Sequence, residues 1–275
     1  MPMTYVLVPP PRPLRRLIES FSYWEDDCPT DERRRAMAAP GMSLQITLSG
    51  SRLNAYLGER LEERRSTGAL SLSGVQTRPF GFDAYQARFM RVRFRPGGAF
   101  AFFRPPPGEL RNAHLSLEDI WGCDAGLLQE RLAEASSIPE RFRILADALI
   151  AAAPRPFANA PAVAQALCLA TPAPHRVRAA DLAKASDLSM KRFIHLFTEE
   201  VGVTPKLFLR IARFERLLAR IFPQPSVDWC ETAQRHGYFD QSHMIRDFRD
   251  FAGMTPVTYF ANRSSTDYHS AAMAG

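Results

Sequence analysis

Between Arg88 and Phe94 charged and apolar side chains alternate, with Arg91, Arg93 and Arg95 out of phase with Val92 and Phe94. A period of two marks a strand buried on one face, although Phe89 is out of step with Val92 and Phe94. Ser43–Ser49, Arg52–Leu57 and Ala69–Ser73 read as further strands, set off by turn residues such as Pro40-Gly41 and Gly50-Ser51. Leu14, Leu17, Ile18 and Phe21 instead recur at helical spacing and predict a helix. After Pro105-Pro106-Pro107 the strand signal stops, and Ala125–Ala135 and Glu140–Ala152 look helical. The stretch from Ala153 to Pro161 sets three prolines among small residues and is the clearest break in the chain.

Beyond that break the signals are helical: Pro161–Leu169, Ala179–Ala185, and a helix capped by Ser189 that runs to about Glu200 and ends at Gly202. Thr204-Pro205 then starts a helix reaching about Ile221, stopped by Pro223 and Pro225. The expected fold class is α+β. Residues 1–112 form a mixed domain for sensing or dimerisation, 113–157 a helical connector and linker, 158–263 an all-α domain, and 264–275 a disordered tail.

The all-α region contains a repeat. Ser189, Phe197 and Gly202-Val203-Thr204-Pro205 return 51 residues later as Asp240, Phe248 and Gly253-Met254-Thr255-Pro256. Leu182-Ala183 matches Thr232-Ala233 at a displacement of 50, so the second turn, around Gly237, is one residue longer. A repeated helix, tight turn, capped helix and glycine stop describes two helix-turn-helix units, Leu182–Val201 and Thr232–Ala252. Two hairpins in a plain helical bundle would share that spacing, so helical phase is the more telling signal. Phe193 and Phe197 share a face with Leu188, and Met244 shares one with Phe248. Opposite them lie Lys191, Ile194 and His195 in the first unit and Gln241, Ser242, Ile245 and Arg246 in the second, with Arg192 and His243 at the margins. Such stripes mix donors, acceptors and aliphatic groups, as reading base edges in a major groove requires. The connecting helix, roughly 25 Å long at about 1.5 Å per residue, would hold the two reading helices about 34 Å apart, one turn of DNA. The residues assigned to phosphates are Arg192, Arg210, Thr204 and Thr255; Arg213, Arg216 and Arg220 serve equally well as a solvated face.

Charge agrees in direction: the net charge is +6, and Arg155 to Arg263 holds 15 Lys and Arg against 10 Asp and Glu. Hydrophobic residues at 46% and charged ones at 23% fit a soluble globular protein, and no apolar run is long enough to span a membrane. With no secretory start at Met1–Val6, a cytoplasmic location is expected. Cys28, Cys123, Cys168 and Cys230 form no CxxC pair and read as reduced, mostly packing residues rather than zinc ligands or disulfides.

Gly237-Tyr238-Phe239-Asp240-Gln241-Ser242-His243-Met244-Ile245-Arg246-Asp247-Phe248 through Gly253-Met254-Thr255-Pro256 resembles the signature of the AraC/XylS family of transcription regulators, and the resemblance covers about Ala160–Asn262. It implies a regulator of double-stranded DNA whose base contacts fall on Lys191, Ile194 and His195, and on Gln241, Ser242, His243 and Arg246. His195 stands where the family commonly has arginine, which implies weaker base binding by the first unit. Gly97-Gly98-Ala99, Glu109-Leu110 and Leu117-Glu118-Asp119 look like a poorly characterised domain that often precedes such modules. A small-molecule effector, a second copy of the chain and, for an activator, RNA polymerase are the further partners implied.

The first half is less legible. Arg91, Arg93 and Arg95 near Pro96-Gly97-Gly98 suit either an anionic effector or a solvated, ion-paired face; Phe100, Phe102 and Phe103 read as core. His114 lacks metal-ligand neighbours in sequence, and no GxSxG, HExxH or P-loop occurs, so neither metal, cofactor nor enzyme is expected. The rival readings are an enzymatic first half, such as a hydrolase or a DNA-repair alkyl transferase, for which Cys28 alone is a thin start, and a domain that only dimerises.

Overall fold

The computed structural model describes residues 4–25, 33–49, 52–83, 88–263 and 269–272. Ten strands precede the helices: β1 Thr4–Val8, β2 Ile18–Glu25, β3 Arg33–Ala36, β4 Ser43–Thr47, β5 Asn54–Leu57, β6 Glu63–Ser66, β7 Leu70–Ser73, β8 Phe80–Asp83, β9 Arg88–Phe94 and β10 His114–Ser116. They pair antiparallel into two sheets, β1-β2-β9-β4-β7-β10 and β3-β8-β5-β6, and a strand from the far end of the chain, β11 (Ser270–Ala272), joins the second sheet beside β3. The helices are α1 Glu118–Trp121, α2 Cys123–Glu134, α3 Ile138–Ala152, α4 Pro161–Ala170, α5 Ala179–Ala185, α6 Met190–Val201, α7 Pro205–Ile221, α8 Trp229–Arg235, α9 Gln241–Ala252 and α10 Pro256–Asn262.

Several expectations change. Ile18 and Phe21 lie in a strand, not a helix. A bulge between Ile18 and Ser20 slips the register by one residue, so Ile18 opposite Phe94 and Phe21 opposite Val92 share a face although they are three apart. A bulged strand thus copies helical spacing. A strand also follows the proline run, since β10 pairs with β7 as a short edge strand. The tail is not wholly disordered, because β11 satisfies backbone groups on the edge of β3; residues 264–268 and 273–275 lie outside the described residues, as do Gly50-Ser51 and Cys28. Cys123, Cys168 and Cys230 are reduced but exposed rather than packed.

The six-stranded sheet has two unlike faces. Phe21, Tyr23, Leu44, Ile46, Leu70, Leu72, Met90 and Val92 are buried in a core shared with α2, α3 and the first helices after the break. The opposite face carries in-register polar residues, Ser22, Arg91, Gln45 and Ser71 in one row and Ser20, Arg93, Ser43, Ser73 and His114 in the next. This face looks into the molecule: Arg91, Arg93, Ser43 and Gln45 line a cavity of about 250 Å³ that Phe80 and Phe82 of the second sheet, His269, and Glu215 and Arg216 of α7 close.

The proline break is held by contacts rather than left as a loose tether. Arg155 donates to the carbonyl oxygens of Phe100 (2.9 Å) and Arg104 (2.7 Å). The buried Glu200 of α6 accepts from Asn159 Nδ2 at 2.8 Å and from the Ala160 N–H at 3.1 Å. Burial raises the Glu200 pKa, and these two donors oppose the rise.

Candidate nucleic-acid interface

Both units fold as the repeat predicts, and the caps explain why. The Arg192 N–H donates to Ser189 Oγ at 3.3 Å, and the His243 N–H to Asp240 Oδ1 at 2.7 Å. Gly202 (φ 99°) and Gly253 (φ 64°) end α6 and α9 in the left-handed conformation, where a side chain is strained. Thr204 and Thr255 cap α7 and α10 by accepting from Leu207 N–H (3.4 Å) and Thr258 N–H (3.2 Å). Their hydroxyls are thereby engaged at the two positions assigned to phosphates.

The inward faces are dry. Phe193, Phe197, Met244 and Phe248 are fully buried, with Phe197 edge-on to Phe208 and Phe248 edge-on to Phe214, both on α7. Outward, Lys191, Arg192, Ile194 and His195 of α6 are exposed, as are Gln241, Ser242 and Arg246 of α9. His195 Nε2 lies 4.0 Å from Glu199 Oε2 one turn on. His243 is half-buried, with Arg213 Nη2 3.2 Å from its Nε2 and the Phe239 N–H 3.5 Å from its Nδ1.

α7 is wired to α9 by charge. The Asp247 carboxylate, fully buried, accepts from Arg210 Nε at 2.7 Å and from Arg213 Nη2 at 2.8 Å. Arg210 also reaches Asp250. The fork of Arg210, a residue expected at a phosphate, is engaged by these two carboxylates and so ties α7 to α9. Arg246 makes no hydrogen bond or ion pair among the described residues. The Arg213 guanidinium also covers the ring of the buried Tyr238 at 4.2 Å, whose hydroxyl pKa burial pushes up.

Contacts that sequence reasoning missed hold each unit to the first half. At the end of α6, the Gly108 N–H donates to the Glu199 carbonyl (3.2 Å), and Gly202 lies against Val75 and Pro107. At the end of α9, Arg35 Nη1 donates to the Gly253 carbonyl at 2.6 Å, and the Ala38 N–H to the Phe251 carbonyl at 2.8 Å. A cation on the last carbonyls of a helix also meets its dipole favourably.

Residues 182–262 match the family model "Helix-turn-helix domain", and residues 7–116 match "Domain of unknown function (DUF6597)". No curated protein matches the chain. Among solved structures, ToxT from Vibrio cholerae O395, bound to (E)-4-(8-methylnaphthalen-1-yl)but-3-enoic acid, is similar at a TM-score of 0.50, 8% identical, over 94% of this chain and 98% of that one. The AraC-like transcriptional activator CuxR is similar at a TM-score of 0.31, 16% identical, over 73% of this chain and 76% of that one. No helix among the described residues is long and apolar enough to cross a membrane. The duplicated capped helices and the family match together make residues 182–262 a helix-turn-helix domain, within a chain whose fold is similar to that of ToxT.

Proposed function

We propose that α6 and α9 lie in two successive major-groove segments of one duplex and read it by sequence. Base edges meet Lys191, Ile194 and His195 from the helix begun by Ser189, and Gln241, Ser242, His243 and Arg246 from the helix begun by Asp240. Arg192 serves a flanking phosphate, and Thr204 and Thr255 bring the N-terminal turns of α7 and α10 toward the backbone. One observation carries this reading: two helices of the same build bury one face completely and leave the opposite, mixed polar and aliphatic face in solvent. Selection of duplexes from a random pool by the full chain tests it. Enriched sites should contain two elements about one helical turn, roughly 34 Å, apart. A single element, or no enrichment, rejects the two-helix reading.

The cavity supports a second proposal, that the first half senses a small organic anion. Arg91 and Arg93 face inward on β9, with Phe80 and Phe82 opposite to take an apolar body. The ToxT structure named above holds a carboxylic acid. Arg91 lies 4.9 Å from the Trp24 ring, so indole fluorescence reports on the site. A panel of small carboxylic acids and their uncharged amides, titrated into the full chain, should show acids bound in preference to amides and that preference lost in Arg93→Ala. No acid preferred over its amide rejects the anion site.

A further inference from the structure

Phe239 is 91% exposed, whereas Leu188, at the matching place in the first unit 51 residues earlier, is half-buried and packs on the core. The difference has a cause. In the longer second turn it is Tyr238 that occupies the inside, 4% exposed, edge-on to His243 and under Arg213, while its neighbour Phe239 points outward. The turn itself is pinned: the Gly237 N–H donates to the Gln234 carbonyl (3.1 Å), the Tyr238 N–H to the Ala233 carbonyl (3.0 Å), and the Asp240 side chain caps α9. Phe239 is therefore a large apolar group held out on a fixed turn, one residue before the cap of a reading helix whose next residues, Gln241 and Ser242, are exposed.

We infer that Phe239 is a DNA-positioning residue whose ring packs against the deoxyribose wall of the major groove where α9 enters it. The inference rests on the two-helix reading above and adds to it a contact that carries no charge and reads no base. The physical basis is that a helix N-terminus entering a groove brings the preceding turn against the sugar-phosphate wall, and the apolar faces of sugars there give a solvent-exposed ring something to cover. Asp240 next to it caps α9 by accepting from the His243 N–H, so its negative charge sits at the positive end of the helix dipole.

The test uses the full chain and a duplex obtained by the selection described above. Phe239→Ser should weaken binding about tenfold, the size expected when roughly one apolar side chain loses its cover. The slope of log affinity against log salt should stay as in the parent, because no cation is removed, and the preference among single-base variants of the site should also stay. Phe239→Trp should bind like the parent, with indole fluorescence that changes when duplex is added. Unchanged affinity of Phe239→Ser overturns the inference and leaves the two-helix reading standing. A changed base preference overturns it by making the ring a base reader. Altered sedimentation of Phe239→Ser with DNA affinity unchanged overturns it in favour of a contact to a second copy. A parent that binds no duplex overturns both readings. Because the ring is exposed, Phe239→Ser should melt with the parent, which separates lost binding from lost folding.

Discussion

Arg246 and Asp247 are neighbours in sequence and opposites in environment. Asp247 is fully buried between Arg210 and Arg213, so Asp247→Ala would strip the carboxylate partner from the largely buried Arg213 and leave Arg210 with Asp250 alone; a loss of about 3–5 kcal/mol in chemical denaturation is expected. Arg246 is exposed, and Asp250, its natural partner one turn on, is occupied by Arg210. Arg246→Ala should accordingly leave stability alone and cost about 1–3 kcal/mol of binding on the preferred site, with relaxed choice at one base pair. Affinities for a panel of single-base variants check this, since a phosphate role would weaken all of them alike and flatten the salt dependence. His195→Ala should do less, one imidazole making at most one good bond to a base edge. His114 carries a prediction of another kind. It is buried in the β-sheet domain, its Nδ1 3.0 Å from Ser73 Oγ, and burial, helped by the charges of Arg65 and Arg78, lowers its pKa from 6.5 to about 4. The unfolded chain then binds the proton first, so His114 favours folding above pH 6.5 and that contribution is lost as pH falls from 6.5 toward about 4, at a slope of about 1.4 kcal/mol per unit. Denaturation midpoints across that window should fall less steeply in His114→Gln. Arg246 is visible in sequence from helical phase, whereas the burial of Asp247 and His114 depends on which neighbouring elements cover them.

At the scale of elements, helix starts and stops were readable because they are local. A cap bonds within three residues and a glycine stop within four, so Ser189, Gly202, Thr204-Pro205 and Ile221 could be placed from the sequence, and α5 and α7 match their expected limits. The same locality gives the phenylalanine phase a sharp test: Phe197→Ala and Phe248→Ala should each cost about 3–5 kcal/mol in thermal or chemical unfolding, and a variant as stable as the parent would mean the faces are reversed. Strands were harder. β4, β5, β7 and β9 show in their patterns, but the bulge of β2 places Ile18 and Phe21 on one face and so mimics helical spacing, and the three-residue β10 and β11 are too short for any period. Arg91 and Arg93 show the same limit from another side. Alternation says that they oppose Val92, yet whether that second face meets water or a second sheet is decided by partners far away in sequence.

The whole molecule is joined more tightly than its proline-rich break suggests. One apolar cluster runs from the six-stranded sheet through α2 and α3 into α6 and the start of α7, while a second joins α7, α9 and α10 to Met37, Ala38 and Ala271. His269 Nε2 lies 3.1 Å from Glu215 Oε1 on α7, and although burial alone would raise the Glu215 pKa, this contact and the charges of Arg93 and Arg216 lower it. A fragment from Ala158 to Arg263 keeps both units but uncovers Gly202, where Val75 and Pro107 pack, and removes Arg35 from the end of α9. It is expected to bind duplex with steep salt dependence and to melt below the full chain; comparing melting curves and salt titrations of the two checks both. The helical half, its duplication and its outward stripes were determined by the sequence itself, since caps, turns and faces depend on residues a few positions apart. The polar lining of the cavity, the Asp247 clamp, the returning β11 and the docking of both units on the first half were decided by the tertiary structure alone, because burial and charge pairing there join residues separated by tens to hundreds of positions, and no local pattern records such a neighbour.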